Sequence, residues 1–417
     1  MELECFTWTT QLLGSLFPSI CKGEEEITET FESLPDCLII DILSRLPAYS
    51  LLRCRWVCRH WRALVSSHDY FITLYDDLSR ASRPLILLQD YLTIKHGQDL
   101  YVVGENLNNN NKKKKKVAFK QLYLRPELMI NKYWDHQLVL TYTCQGVLMF
   151  GDLKWQSTYY AFNPITQEEV AVQHTLHPGY LCAIYFCPYT RQFRILYAQV
   201  RGSCCQYFVY IFKTWTWRKI RSSSSFNFLS SGGTPAVVNG AFHWIIDHDL
   251  ERKDIPPCAN GIMVFKMDKE ELSAMPHPGS VCNSKRKHQA MTLLVKDDSL
   301  CFCNLLISYY VVDIWILKDY EMRIWIKRYN IDLCDERIFP FSLYFMNISS
   351  LTSDICGRIK LLNIQEGELL LHLKGKGLFL YNLDHRTVKR IELPPRQSGW
   401  GLWYTPMPHM KSFLAIA

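Results

Sequence analysis

The sequence predicts an α+β multidomain chain: a module of three short helices near the N-terminus, then a large all-β body built as a propeller of about six blades. Three observations predict it. Apolar residues recur at helical spacing between Ser33 and Tyr75. Beyond Leu85, short β-prone runs alternate with turn residues and no long amphipathic helix intervenes. Within that stretch a unit of two strands and a turn recurs about every 50 residues.

Residues 1–31 read as a loose leader that ends in Glu24-Glu25-Glu26. In the helical module, residues 32–80, Ser33 is placed to cap a first helix with Pro35 and Asp36 in its first turn, and Leu38, Ile42, Leu43 and Leu46 follow at helical spacing. Pro47 stops that helix. A second begins near Ser50, with Leu51, Cys54, Val57, Cys58, Trp61, Leu64 and Val65 on one broad face and Arg53, Arg55, Arg59 and Arg62 mostly off it. Asp69 can cap a third carrying Phe71, Leu74 and Tyr75. A segment of about 45 residues buries little surface on its own, and Leu34, Ile39, Ile40 and Leu52 add to an apolar set already larger than such a core can hide. Either a second apolar face meets a partner, or the helices pack wholly onto the downstream body.

The body, residues 85–417, carries the repeat as YYAFNPITQEEVAV from Tyr159, YFVYIFKTWTWRKI from Tyr207, GIMVFKMDKEELSAM from Gly261, VVDIWILKDYEMRIWIKRY from Val311 and GLFLYNLDHRTVKRIELP from Gly377. Between these lie fragments with the character of inner strands: CQGVLMFGD from Cys144, VVNGAFHWIID from Val237 and EGELLLHLKGKGLFLYN from Glu366. A period of about 50 residues with four strands per unit points to kelch-like blades, with chance likeness among β-hairpins as the competing explanation. One interruption, residues 105–117 with its Asn and Lys runs, cannot form a packed strand and reads as a disordered hairpin tip or insert between blades.

Composition excludes several classes. Apolar residues make up 48% and charged residues 21%, which sets aside a disordered or collagen-like chain. The net charge of +7 hints at an anionic partner, but without Lys112 to Lys116 the remaining 42 basic residues face 40 acidic ones, a net of +2. Neither nucleic acid nor membrane is expected as a partner: no basic stripe interleaves with aromatics, and no apolar run reaches the about 18 residues a span needs. The 16 cysteines, mostly in apolar or helical stretches, read as reduced thiols, and Glu2 and Glu4 replace a basic signal-peptide start, so a cytoplasmic or nuclear setting is expected.

The run LPDCLIIDILSRLPAYSLLRCRWVCRHWRALVSSHDYF from Leu34 to Phe71 resembles the F-box in the Leu34-Pro35 opening, Leu38, Ile42-Leu43, Leu46-Pro47, Ser50-Leu51, Arg55, Val57-Cys58, Trp61, Leu64 and Phe71. Arg59-His60 stands where a Lys is common in relatives. The downstream fragments GVLMFGD, YYAFNPITQE, VVNGAFHWI and GLFLYNL resemble the plant-type F-box-associated, kelch-related domain. The resemblance implies a non-catalytic substrate receptor of an SCF-type ubiquitin ligase. Its box would dock on a Skp-type adaptor and, through it, on cullin and RING subunits, and its β domain would hold a target protein for degradation. It implies that Leu34, Pro35, Leu38, Ile42, Leu43, Leu46, Pro47, Leu51, Leu52, Val57, Cys58 and Trp61 face the adaptor or form the core of the box. An adaptor-bound scaffold acting outside a cullin ligase is the alternative.

No motif for catalysis, cofactor or metal is present: there is no P-loop, GxGxxG, HExxH or GxSxG. Cys301 and Cys303 share a strand face but lack paired ligands for zinc, as do Cys204 and Cys205. His174, His177, His243 and His248 read as loop or satisfied core histidines, and Trp215, Trp217, Trp315 and Trp325 as strand core. Lys112 to Lys116 reads as a solvated insert before a nuclear signal. The loops His248 to Pro257 and Pro276 to His288 are the candidates for target contact at a propeller rim.

Overall fold

The computed structural model describes residues 34–46, 48–67, 69–81, 85–90, 100–103, 119–122, 138–152, 158–166, 168–173, 179–201, 204–220, 234–246, 261–279, 288, 290–306, 310–335, 359–373, 377–391, 404–409 and 416. The leader and the Asn/Lys insert lie outside them, as do Ser33 and Pro47.

Among the described residues, the N-terminal module has four helices where the sequence predicts three: α1 (Asp36–Ser44), α2 (Ala48–Cys54), α3 (Arg59–Ser67) and α4 (Asp69–Ala81). The predicted second helix breaks at Arg55 to Cys58. There the Trp56 N–H donates to Arg53 O at 2.9 Å and the Val57 N–H to Cys54 O at 3.2 Å, a tight turn that ends α2. The Cys58 sulfur then accepts the Trp61 N–H at 3.3 Å, so a thiol does the work of a polar cap for α3. Both helices turn their apolar sides to one core, which is why Leu51, Cys54, Leu64 and Val65 keep a helical rhythm across the break. At the start of α1 the N-cap is Pro35, with no side-chain cap bond.

Beyond the helices, the described residues form 24 strands in six four-stranded antiparallel sheets. Five blades are consecutive stretches of chain. They are β4 (Leu138–Cys144) with β5 (Val147–Asp152), β6 (Thr158–Phe162) and β7 (Glu169–Gln173); then β8 (Gly179–Cys187), β9 (Gln192–Arg201), β10 (Cys204–Ile211) and β11 (Thr216–Lys219). The fourth blade has β12 (Ala236–Val238), β13 (Ala241–Ile245), β14 (Ile262–Lys266) and β15 (Glu271–Met275), and the fifth β16 (Met291–Lys296), β17 (Ser299–Leu306), β18 (Val311–Asp319) and β19 (Ile324–Asp332). The sixth has β20 (Ile359–Gln365), β21 (Glu368–Leu373), β22 (Gly377–Asn382) and β23 (Thr387–Ile391). The first sheet joins the two ends of the body. β1 (Leu85–Asp90), β2 (Leu100–Val103) and β3 (Phe119–Leu122) are completed by β24 (Tyr404–His409), which pairs with β1 from Leu85 opposite His409 to Asp90 opposite Tyr404. Innermost strands neighbour one another: β24 lies beside β4, β4 beside β8, β12 beside β16, β16 beside β20 and β20 beside β24. That is a propeller whose ring is closed by pairing the last strand with the first.

Each repeated fragment predicted from sequence falls on the third and fourth strands of one blade, from β6-β7 to β22-β23. The turns explain the likeness. Between first and second strands sit two-residue turns with both residues at positive φ: Gln145-Gly146, Asn239-Gly240, Asp297-Asp298 and Glu366-Gly367. Gly240 and Gly367, at φ 66° and 73°, hold a conformation that a Cβ would strain. Between third and fourth strands a side-chain oxygen caps the turn: Asn163 Oδ1 accepts from Ile165 N at 2.9 Å, Asp319 Oδ1 from Met322 N at 2.8 Å, and Asn382 Oδ1 from His385 N at 2.7 Å.

The core lies in the seams between blades. One cluster of buried side chains fills the seam of the third and fourth blades (Tyr185, Tyr207, Phe242, Phe265), another that of the fourth and fifth (Val264, Met275, Phe302, Leu317), and a third that of the fifth and sixth (Ile314, Leu369, Leu371, Phe379). His243, fully buried on β13, pins one seam. Its Nδ1–H donates to Ala236 O at 3.3 Å, so Nε2 accepts from the hydroxyl of Tyr320, at 2.8 Å, in the turn before β19. Burial pushes its pKa down from 6.5 to about 4, and the folded ring is neutral.

That depression fixes a pH dependence. The unfolded chain takes up the proton near the ordinary value while the folded chain refuses it, so the contribution is whole above about pH 6.5 and is lost as pH falls toward 4. The full loss is worth about 3 kcal/mol at 1.36 kcal/mol per unit. Urea unfolding of the chain and of His243→Gln, at neutral pH and near pH 4.5, should show the wild type losing about 2–3 kcal/mol more than the variant. Equal losses would remove His243 as the cause.

Candidate functional site

The helical module is the part of the chain with more apolar surface than its own core needs. Its interior is closed by Ile39, Ile40, Leu43, Leu51, Cys54, Leu64, Val65, Phe71, Ile72 and Tyr75, all buried. One continuous apolar cluster carries this interior on to blade residues such as Tyr142, Phe193 and Tyr197 and to Ile416, whose N–H donates to Glu168 at 2.7 Å. So the helices do lean on the β body. They are not used up by it: Leu38 is 49% exposed and Trp56 73%, and Tyr70 and Leu78 also face solvent.

Burial separates roles that the sequence leaves merged. Leu43 and Leu51 are core, with 0% exposure. Leu34, Ile42, Leu46, Leu52, Val57 and Trp61 are half-buried at the border, while Pro35, Leu38 and Cys58 are exposed. Pro47 lies outside the described residues. Trp56 and Tyr70 are absent from the predicted set, because periodicity ranks residues by their fit to a buried stripe and these two lie off it. Trp56 is held in place for its exposure: the Arg62 guanidinium lies 5.1 Å from its ring centre, and Arg62 Nε donates to Arg55 O at 3.1 Å. His60 Nε2 lies 2.9 Å from Asp36 Oδ1, tying α3 to the start of α1.

Among the described residues, no group of three or more His, Cys, Asp or Glu is placed to hold a metal ion. Cys301 and Cys303 are buried, and burial pushes the Cys301 thiol up to about 12 and that of Cys303 well above its usual value. Of the strand tryptophans, Trp217 packs against Tyr197 and Tyr210, at 5.6 and 4.9 Å between ring centres, and Trp315 and Trp325 pack in the seam of the fourth and fifth blades. Trp215 departs from the expected core role: it is exposed, in a turn at φ 56°. Of the two expected contact loops, 248–257 lies outside the described residues. In the other, residues 280–287 also lie outside the described residues, and at its two ends His277 and His288 are buried with ring centres 5.4 Å apart, His277 stacking on Phe302.

Comparison with known families agrees with this division. Residues 31–75 match the F-box-like family, and residues 91–362 match the F-box associated beta propeller domain, which is well over half of the chain. The chain belongs to the F-box associated β-propeller family. Its relatives include F-box protein At3g07870 of Arabidopsis thaliana, 25% identical over 328 residues that make up 72% of this chain and 73% of that one. F-box protein At1g47340 of the same plant is 23% identical over 389 residues, 87% of this chain and 75% of the relative. The matched F-box, residues 31–75, contains α1 to α3 and the start of α4, so Leu38, Trp56 and Tyr70 are exposed apolar positions of the F-box itself.

Proposed function

We propose that this F-box protein is the substrate-recognition subunit of an SCF-type ubiquitin ligase. The F-box docks on a Skp-type adaptor, which links it to cullin and RING subunits; the propeller holds a target protein, and ubiquitin transfer is carried out by the other subunits. The observation that carries this reading is the exposed apolar set on a box whose core is already closed: Leu38 and Trp56 spend large apolar area in water unless a partner covers it. Trp and Arg side by side, as in Trp56 and Arg62, are the residue types that anchor interfaces.

The test uses Leu38→Asp combined with Trp56→Ala in the full chain. Both side chains are exposed, so the helical signal and melting temperature should hold. Affinity for a purified Skp-type adaptor should fall at least tenfold, about 1.4 kcal/mol. Unchanged affinity would place the docking face elsewhere.

A further inference from the structure

The outer strand of the fifth blade differs from its counterparts. β19 has nine residues, whereas β3, β7, β11, β15 and β23 have four or five. It is the last strand of its sheet, so its outward N–H and C=O groups have no ladder partner among the described strands. Along it Ile324 and Ile326, at alternate positions, are 47% and 44% exposed, and Met322 in the turn before the strand is 72% exposed. Outer strands are normally blunted with charge, and large apolar residues at alternate positions of an open edge are left in water unless something covers them.

The surrounding charge says what covers them. Arg323, Lys327 and Arg328 are exposed beside the apolar row, and Lys389 and Arg390 are exposed on β23, the outer strand of the next blade. The acidic residues Glu321 and Asp332 lie only at the ends of the row and the strand. Lys327 is tied to Asp313 at 2.7 Å, whereas Arg328 is the extra residue of a bulge, since Ile314 pairs with Tyr329 and Trp315 with Lys327. A second register shift, with Lys318 of β18 as the extra residue, falls between Trp325 and Ile324, so Trp325 to Lys327 is the regularly paired part of the edge. Antiparallel pairing of this edge with the same edge of a second copy would gather two sets of Arg323, Lys327 and Arg328 along one short seam, a like-charge crowding that disfavours self-association.

We propose that the outer edge of β19 is a docking strand for an extended acidic segment of a target protein, which adds to blade 5 as a fifth strand. It rests on the receptor reading above and names a site for it. Backbone pairing supplies the alignment, apolar residues of the segment cover Ile324 and Ile326, and its carboxylates meet Arg323 and Arg328.

The experiment measures fluorescence anisotropy of labelled nine-residue peptides with the full-length chain. One alternates Glu or Asp with Val or Ile, a second carries Lys in place of every acid, and a third is the acidic peptide N-methylated at alternate amides. The acidic peptide should bind, the basic one should not, and N-methylation should weaken binding at least tenfold with the protein unaltered. Arg323→Glu with Arg328→Glu should weaken it by a similar factor. No binding of the acidic peptide, or equal binding of the basic or N-methylated one, would overturn the proposal. So would a sedimentation-detected dimer that Ile324→Asn with Ile326→Asn abolishes, since a second copy would then occupy the edge. A target that stays on the propeller when both isoleucines are changed, with the acidic peptide unbound, would overturn this edge while the receptor reading stands.

Discussion

Replacing Glu270 by alanine should destabilise the propeller by about 3–5 kcal/mol, measured by denaturant unfolding of the full chain. Glu270 sits in the turn between β14 and β15, buried and at φ 53°, and its carboxylate reaches back across the seam into the third blade. Arg194 Nη1 on β9 donates to Oε1 at 2.5 Å, the Tyr185 hydroxyl on β8 donates to the same oxygen at 3.2 Å, and Arg218 on β11 donates to Oε2. Three strands of one blade thus converge on one side chain of the next. Removing it strands the largely buried Arg194 guanidinium, 12% exposed, without its counter-charge. Arg218 is half exposed, so solvent screens its share, and Arg218→Ala should cost less than about 1 kcal/mol. Equal costs for the two substitutions would show that the network stabilises through the outer arginine and not through the buried pair.

Leu43→Ala should cost about 2–5 kcal/mol and unfold the F-box. The sequence alone allows Leu43 to face either the adaptor or the core, and the structure gives it 0% exposure among Ile39, Leu51, Val65 and Phe71. A cavity in so small a module leaves little reserve. Hydrogen exchange should show faster exchange across α1, α3 and α4 with the strands of the fifth and sixth blades unaffected. Adaptor binding would fall as well, but by loss of the fold. Leu38→Asp with Trp56→Ala should lose docking with exchange unchanged, and that contrast separates core from surface.

Much of this architecture is legible in the sequence, for identifiable reasons. Gln145-Gly146, Asn239-Gly240 and Glu366-Gly367 are turns whose residue types report their backbone conformation, and Asn163 caps its turn through a side chain that the Asn-Pro pair announces. Elsewhere the same conformation is held by residues that do not advertise it. The position before the fourth strand is left-handed at Trp215, Glu270, Arg323 and Arg386, with φ between 53° and 57°, and no residue type marks it. The first blade is hidden because its innermost strand, β24, lies at the other end of the body, about 280 residues from Phe119–Leu122. The break between α2 and α3 is hidden because Cys58 caps with sulfur, and Trp56 and Tyr70 are hidden because a periodic search rewards burial. The Glu270 cluster depends on pairing between blades, which short-range pattern does not encode.

The most direct measurement follows protein lifetime in cells whose F-box protein is replaced by the Leu38→Asp, Trp56→Ala variant. Proteins that co-purify with the propeller of both forms are identified, and their half-lives are measured under each. At least one should persist several-fold longer with the variant, because it is still bound but no longer delivered to the ligase. If the variant has lost the adaptor and every propeller-bound protein keeps its half-life, the chain is a scaffold outside a cullin ligase and the receptor role is contradicted.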